Sequence, residues 1–153
     1  MNRQFFILVT AMIASFGVDR FSKFLILSFL DGQRVFFWGK TFFFGYIPTE
    51  IHTGLSELPL YIVVSIFIFI IIGLWVVGVR KLQPTRAVGF GLILGGGAGN
   101  IFDRISVDHV IDWIGVAHVF VCNLADVMIV GGIIICLYTF YDRTSTFRGI
   151  DRT

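Results

Sequence analysis

Four stretches of the chain, residues 5–30, 59–79, 86–105 and 121–141, are apolar and close to the roughly 20 residues that a helix needs to cross a hydrocarbon core. No other feature restricts the fold as much. With 56% of its 153 residues hydrophobic and 14% charged, and a mean hydropathy of +0.87, the chain is too apolar for a soluble domain of this size. The expected fold is an all-α membrane protein of four transmembrane helices, forming one domain over residues 1–153. The first stretch begins with Arg3 and an apolar run like that of a cleaved signal peptide, with Ala11 and Ala14 near a conceivable cleavage site. Its apolar character continues past Ser15 through Phe29, so it reads better as a spanning helix with Asp19, Arg20, Ser22 and Lys23 in its outer part.

An even number of spans puts both termini on one side of the membrane. Arg3, Arg80, Lys81, Arg86, Arg143, Arg148 and Arg152 then share a face, opposite loops that hold chiefly Arg34 and Lys40, so the basic face is cytoplasmic. The extracytoplasmic loops are residues 31–58 and 106–120. The first carries Phe36, Phe37, Trp38, Phe42, Phe43, Phe44 and Tyr46. Aromatics at that density favour the membrane interface, and a period-2 pattern around residues 35–47 permits a short hairpin or small sheet there. The net charge of +2 gives no basic surface for nucleic acid. Cys122 and Cys136 share one apolar stretch, about 20 Å apart along a helix and beyond disulfide reach.

A charge at the bilayer centre costs about 2.5–3.5 kcal/mol even on a lenient insertion scale, so the ionisable residues inside the spans require an account. Asp19, Ser22 and Lys23 stand at i, i+3 and i+4; Asn100, Asp103 and Arg104 repeat that spacing; Asn123 and Asp126 are three apart. Each set occupies one helical face. In the expected topology all three stripes meet toward the extracytoplasmic side. Asp103 with Arg104, and Asp19 with Lys23 or Arg20, read equally well as ion pairs between helices or at the interface. Asp112 and Asp126 differ, because neither has a base beside it in sequence and both are flanked by apolar residues. Two carboxylates brought together in a poorly hydrated site do not both ionise easily; one keeps a proton and the other acts as base toward water.

Other chemistries fit less well. His52, His109 and His118 lie in the loops without HExxH or a comparable ligand spacing. No lysine followed by serine or threonine comes after Gly95, Gly96, Gly97 and Gly99, so these glycines read as close helix packing, with Gly131 and Gly132 expected at the same contact. Ser15, Ser22 and Ser106 have no histidine beside them to make a nucleophile.

Taken in order, D-R-F-S-K at 19–23, G-N-I-F-D-R at 99–104, V-I-D-W at 110–113 and C-N-L-A-D at 122–126 resemble the motifs D-x-x-S/T-K, G-N-x-x-D-R, V-x-D-F and F-N-x-A-D of the bacterial lipoprotein signal peptidases, or signal peptidases II. The resemblance covers nearly the whole chain. It implies a four-helix inner-membrane aspartyl endopeptidase that cuts the signal peptide from diacylglyceryl-modified prolipoproteins just before the lipidated cysteine. Asp112 and Asp126 match the catalytic aspartates. Asp19, Lys23, Asn100, Arg104 and Asn123 match residues that support the pair or contact substrate, and the aromatic loop matches an interfacial cradle. The N-x-G-x-A/S-F motif corresponds here to H-T-G-L-S-E at 52–57, which keeps Gly54 and Ser56 but not the Asn or the aromatic. Trp113 and Cys122 stand where the pattern has phenylalanine.

The expected function is therefore cleavage of a lipid-modified prolipoprotein by Asp112 and Asp126, with no metal or organic cofactor, in a monomer among membrane lipids. The alternatives are a small transporter, or a catalytically idle scaffold, using the same polar cluster. A transport path calls for polar groups toward the midplane, whereas these stripes stay near the outer face and the second span carries no charge.

Overall fold

The computed structural model describes residues 3–30, 33–37, 41–45, 64, 66–68, 70, 71, 73, 78, 82–116 and 120–150. Among them are three long helices, α1 (Arg3–Leu30), α2 (Pro84–Val107) and α3 (Leu124–Ile150). Four short strands complete the elements: β1 (Val35–Phe37), β2 (Phe42–Phe44), β3 (Ile114–Val116) and β4 (Phe120–Cys122). α1, and α3 as far as Tyr141, are long and apolar enough to cross a membrane. Most of the second expected span lies outside the described residues; positions 64, 66–68, 70, 71 and 73 within it are helical.

Burial runs opposite to that of a water-soluble protein. Asp19, Asp103 and Asn123 are 0% exposed and Lys23 is 2% exposed, while Phe21, Phe24, Phe29 and Leu137 are each more than 60% exposed. An apolar exterior around a polar interior is stable where the surroundings are hydrocarbon, and each buried charge then needs a partner.

α2 is the central helix, and its glycines bring the neighbours close. Pro84 opens it at a position where a missing N–H costs nothing, and Asp108 ends it in a left-handed conformation with φ of 64°. A Cβ on Gly91, Gly95 or Gly99 would run into α1 at Leu8 and Ala11, at Met12 and Ser15, or at Asp19. A Cβ on Gly89 or Gly96 would run into α3 at Gly132 and Cys136, or at Ala125. Small residues on two faces thus let α2 pack backbone-close against both partners. Gly132 belongs to this contact, but Gly131 does not: it has open space beside it, because the next position on a helix points about 100° away. Gly97 faces a third neighbour, the ring of Phe67.

The strands form one antiparallel sheet in the order β1-β2-β3-β4. β1 and β2 come from the loop after α1, and β3 and β4 from the loop before α3, so the β2–β3 pairing joins two loops far apart in sequence. Phe43 lies across from Gly115 in that pairing and is 1% exposed. Any side chain at position 115 would collide with its ring. The fourth apolar stretch therefore starts differently from the sequence expectation at residue 121: Val121 and Cys122 complete β4, and the helix begins at Leu124. Hydropathy alone does not separate an apolar strand from the helix that follows it. The helix also continues past residue 141 to Ile150.

Candidate active site

The spacing of Asp19 and Lys23 puts both on the face of α1 that meets α2, and both are buried. Lys23 Nζ donates to Asp19 Oδ2 at 2.9 Å and to Asp103 Oδ2 at 2.6 Å, and reaches Asn100 Oδ1 at 3.4 Å. Arg20 adds a second cation, with one terminal nitrogen 3.0 Å from Asp19 Oδ2 and 2.6 Å from Asp103 Oδ1. The latter contact is an ion pair without hydrogen-bond alignment. The same nitrogen donates to the Gly99 carbonyl at 3.3 Å. Two carboxylates and two cations thus form a closed, neutral tetrad between α1 and α2. Asp103 draws both of these cations from α1, across the helix interface.

The tetrad also holds the surrounding backbone. Asp19 Oδ1 accepts the Ala125 N–H at 3.1 Å, placing a carboxylate at the positive N-terminus of α3. Asp103 Oδ2 accepts the Ile111 N–H at 3.2 Å. That bond fixes the loop one residue before Asp112.

Asp112 and Asp126 are held mainly by amides. Asn123 caps α3: its Oδ1 accepts the Asp126 N–H at 3.1 Å, and Asp126 Oδ2 accepts the Asn123 N–H at 3.2 Å. This reciprocal pair is a capping box. Asn123 Nδ2 donates to Asp112 Oδ1 at 2.8 Å and to Asn100 Oδ1 at 3.1 Å, and Asn100 Nδ2 donates to Asp126 Oδ1 at 2.8 Å. The two carboxylates are therefore tied through two asparagines into one network. Each amide's orientation follows from its partners, since Asn100 turns its oxygen to Lys23 and its nitrogen to Asp126. Arg104 donates to the Asn100 carbonyl at 3.2 Å, and its charge is felt at Asp126, Asp112 and Asp103.

Burial, and then the negative charge of Asp126, push the Asp112 carboxyl up to about 6, against a smaller opposing effect of the Asn123 hydrogen bond. Such a group holds or releases a proton near neutrality, as acid–base chemistry requires.

Six of the expected site residues thus meet around this cluster, with Arg104 at its side. Gly54, with the rest of 52–57, lies outside the described residues. Asp103 and Arg20, which the spacing alone pairs with Arg104 and Asp19, also enter the cluster and bind each other. The signal available for Asp126 was the N-x-x-D spacing at 123–126, which is that of a capping box.

The fold is that of bacterial membrane enzymes. It is similar to one solved by the in meso method at 2.3 Å, with a TM-score of 0.70 and 20% identity over 91% of this chain and 90% of that one. A second such structure gives a TM-score of 0.67 and 19% identity over 87% and 91%. The family described as signal peptidase (SPase) II matches residues 11–141, and the chain belongs to that family. Among its relatives, the lipoprotein signal peptidase of Nitrobacter hamburgensis is 29% identical over 89% of this chain and 92% of its own length. That of Clostridioides difficile is 26% identical over 87% and 94%. That of Mycobacterium avium is 39% identical over 72 residues.

Proposed function

We propose that the protein is an intramembrane aspartyl endopeptidase that removes the signal peptide from diacylglyceryl-modified prolipoproteins, cutting before the lipidated cysteine. Family membership supports the reaction. The observation that carries the choice of residues is the network from Asp112 through Asn123 and Asn100 to Asp126, which fixes two half-buried carboxylates in one site. In this reading the pair shares one proton. The ionised member takes a proton from a water as the water oxygen attacks the scissile carbonyl carbon, and the protonated member hydrogen-bonds to the carbonyl oxygen as charge develops there. Collapse of the tetrahedral intermediate breaks the C–N bond, the leaving amine takes a proton from the pair, and a carboxylic acid and an amine are released. The proton count of the pair is then restored. The protonation steps belong to the pair jointly.

The proposed setting is the bacterial inner membrane, with both termini cytoplasmic, the site at the extracytoplasmic face and the chain monomeric. Substrate enters laterally, its acyl chains against the apolar helix faces. The four-stranded sheet, with Phe36, Phe37, Phe42 and Phe44 each 38–48% exposed, is suited to lie on the bilayer as the cradle for the substrate. Gly54 serves as a substrate contact in the same reading.

The test is cleavage of a lipidated prolipoprotein by the purified chain in detergent, comparing wild type with Asp112→Asn and Asp126→Asn. Cleavage by wild type and its loss in both variants is the expected result. An uncut substrate, under conditions where another signal peptidase II cuts it, would overturn the reading.

A further inference from the structure

The position after Asp19 is unspecified in the D-x-x-S/T-K pattern, yet here it is Arg20, whose guanidinium is built into the cluster. It touches Asp19 Oδ2 at 3.0 Å, Asp103 Oδ1 at 2.6 Å and the Gly99 carbonyl at 3.3 Å. Its planar group also lies 5.0 Å from the centre of the Phe102 ring, so it is held from several sides and cannot drift from the carboxylates without losing all four contacts.

We propose that Arg20 is a positioning residue of the reaction: by closing the neutral tetrad with Asp19, Lys23 and Asp103, it holds the charge around Asp112 and Asp126 at the value that leaves their pair one proton. This rests on the reading of Asp112 and Asp126 as the reacting pair. The charged groups facing that pair are Asp19, Arg20 and Lys23 from α1, Asp103 and Arg104 from α2, and Asp126 itself from α3, with the neutral Cys122 thiol on β4. Asp108 and His109 stand at the end of α2, where Asp108 is exposed. The cluster thus sets four carboxylates, Asp19, Asp103, Asp112 and Asp126, against three cations, Arg20, Lys23 and Arg104. The one excess negative charge is balanced by one proton on the pair. Without Arg20 a neutral cluster requires two, which would take the base away.

Arg20 acts through Asp103. The Asp103 charge favours the protonated form of Asp112, and the Lys23 charge opposes it; Arg20, in contact with Asp103, sets a positive charge beside the former. Asp103 also holds the Ile111 N–H, so the guanidinium steadies the acceptor that fixes the loop before Asp112.

The test measures kcat/KM against pH for wild type, Arg20→Gln, Arg20→Lys, Asp103→Asn and the double variant Arg20→Gln with Asp103→Asn. In parallel, 13C NMR of labelled aspartate carboxyls follows the titration without turnover. Arg20→Gln is expected to move the basic limb up by about half a pH unit, the order of one partly screened charge across a low-dielectric site. Arg20→Lys restores the limb, Asp103→Asn moves it down, and the double variant returns toward wild type. If Arg20→Gln does not fold, the difference between Asp103→Asn and the double variant reports the same charge. Limbs and carboxyl titrations that coincide with and without Arg20, in an enzyme that cuts and that Asp112→Asn silences, overturn this inference alone. Absence of cleavage by wild type overturns the proposed function, while the NMR titration still decides whether Arg20 sets the charge at Asp112.

Discussion

Two carboxylate pairs lie in the same cluster and differ in how they are satisfied. Asp19 and Asp103 are fully buried, share Lys23 and Arg20, and each accepts a backbone N–H. Asp112 and Asp126 are bound to asparagine amides and one capping N–H, with the charge of Arg104 felt at both. The first pair is tied into ion pairs with both cations, and it serves to hold two helices, the start of α3 and the Ile111 amide. In the second pair, neutral donors fix the geometry, while burial and the negative charge of Asp126 raise the Asp112 carboxyl. One residue type thus does structural work in one place and, in the proposed reaction, chemical work in the other, the difference being that Lys23 and Arg20 both bind the first pair while asparagine amides hold the second.

The largest effect that would sharpen this contrast is on rate. Asp112→Asn or Asp126→Asn should lower kcat by about 10³-fold or more, since each removes an acid or base from the reacting pair. The fold should survive in both. For Asp112 the sign follows from its raised pKa. Its contribution to folding is fully present below the ordinary carboxylate value of 3.8 and is lost as pH rises toward about 6. At pH 7 the neutral Asn should therefore match or exceed wild-type stability, by about 1 kcal/mol after solvent screening. Thermal unfolding in detergent reads this, and marked destabilisation by Asp112→Asn would break the comparison.

Lys23→Met should do the reverse, because it leaves two buried carboxylates to share one partly exposed arginine. A loss of about 3–5 kcal/mol is expected, measured by denaturant or thermal unfolding. A well-folded but inactive Lys23→Met variant would instead put Lys23 in the chemistry. Gly99→Ala is milder. Its new methyl would stand 2.5 Å from Asp19 Oδ2, and the resulting shift should cost about 1–3 kcal/mol of stability. The smallest effect is expected for Asn123→Ala. Loss of the cap should cost about 1 kcal/mol, and loss of the bond that favours ionised Asp112 should move the basic limb of kcat/KM, expected near pH 6 in wild type, to higher pH. A downward shift would contradict the role given to that hydrogen bond.

Local spacing made much of the cluster legible. Asp19 and Lys23 share a helix face because they are four residues apart, and Asn123 and Asp126 meet because an N-cap and the third residue of a helix always face each other. The glycines of α2 announced close packing, though not which of them faced α1, α3 or Phe67. Sequence neighbours gave the ion pairs of Asp19 with Arg20 and Lys23, but not those of Asp103, which takes the same two cations from α1, some 80 residues away. The two loop segments gave no sign that β2 would pair with β3 across about 70 residues.

The sequence by itself determined that the chain is built of long apolar helices with polar stripes at one end, since hydropathy and helical period are properties of neighbouring residues. Only the tertiary structure decided which carboxylates meet Lys23 and Arg20 and which are held by asparagine amides. That distinction depends on contacts a few ångströms long between residues on different helices, and the helix packing that creates them is not encoded in any one stretch of the chain.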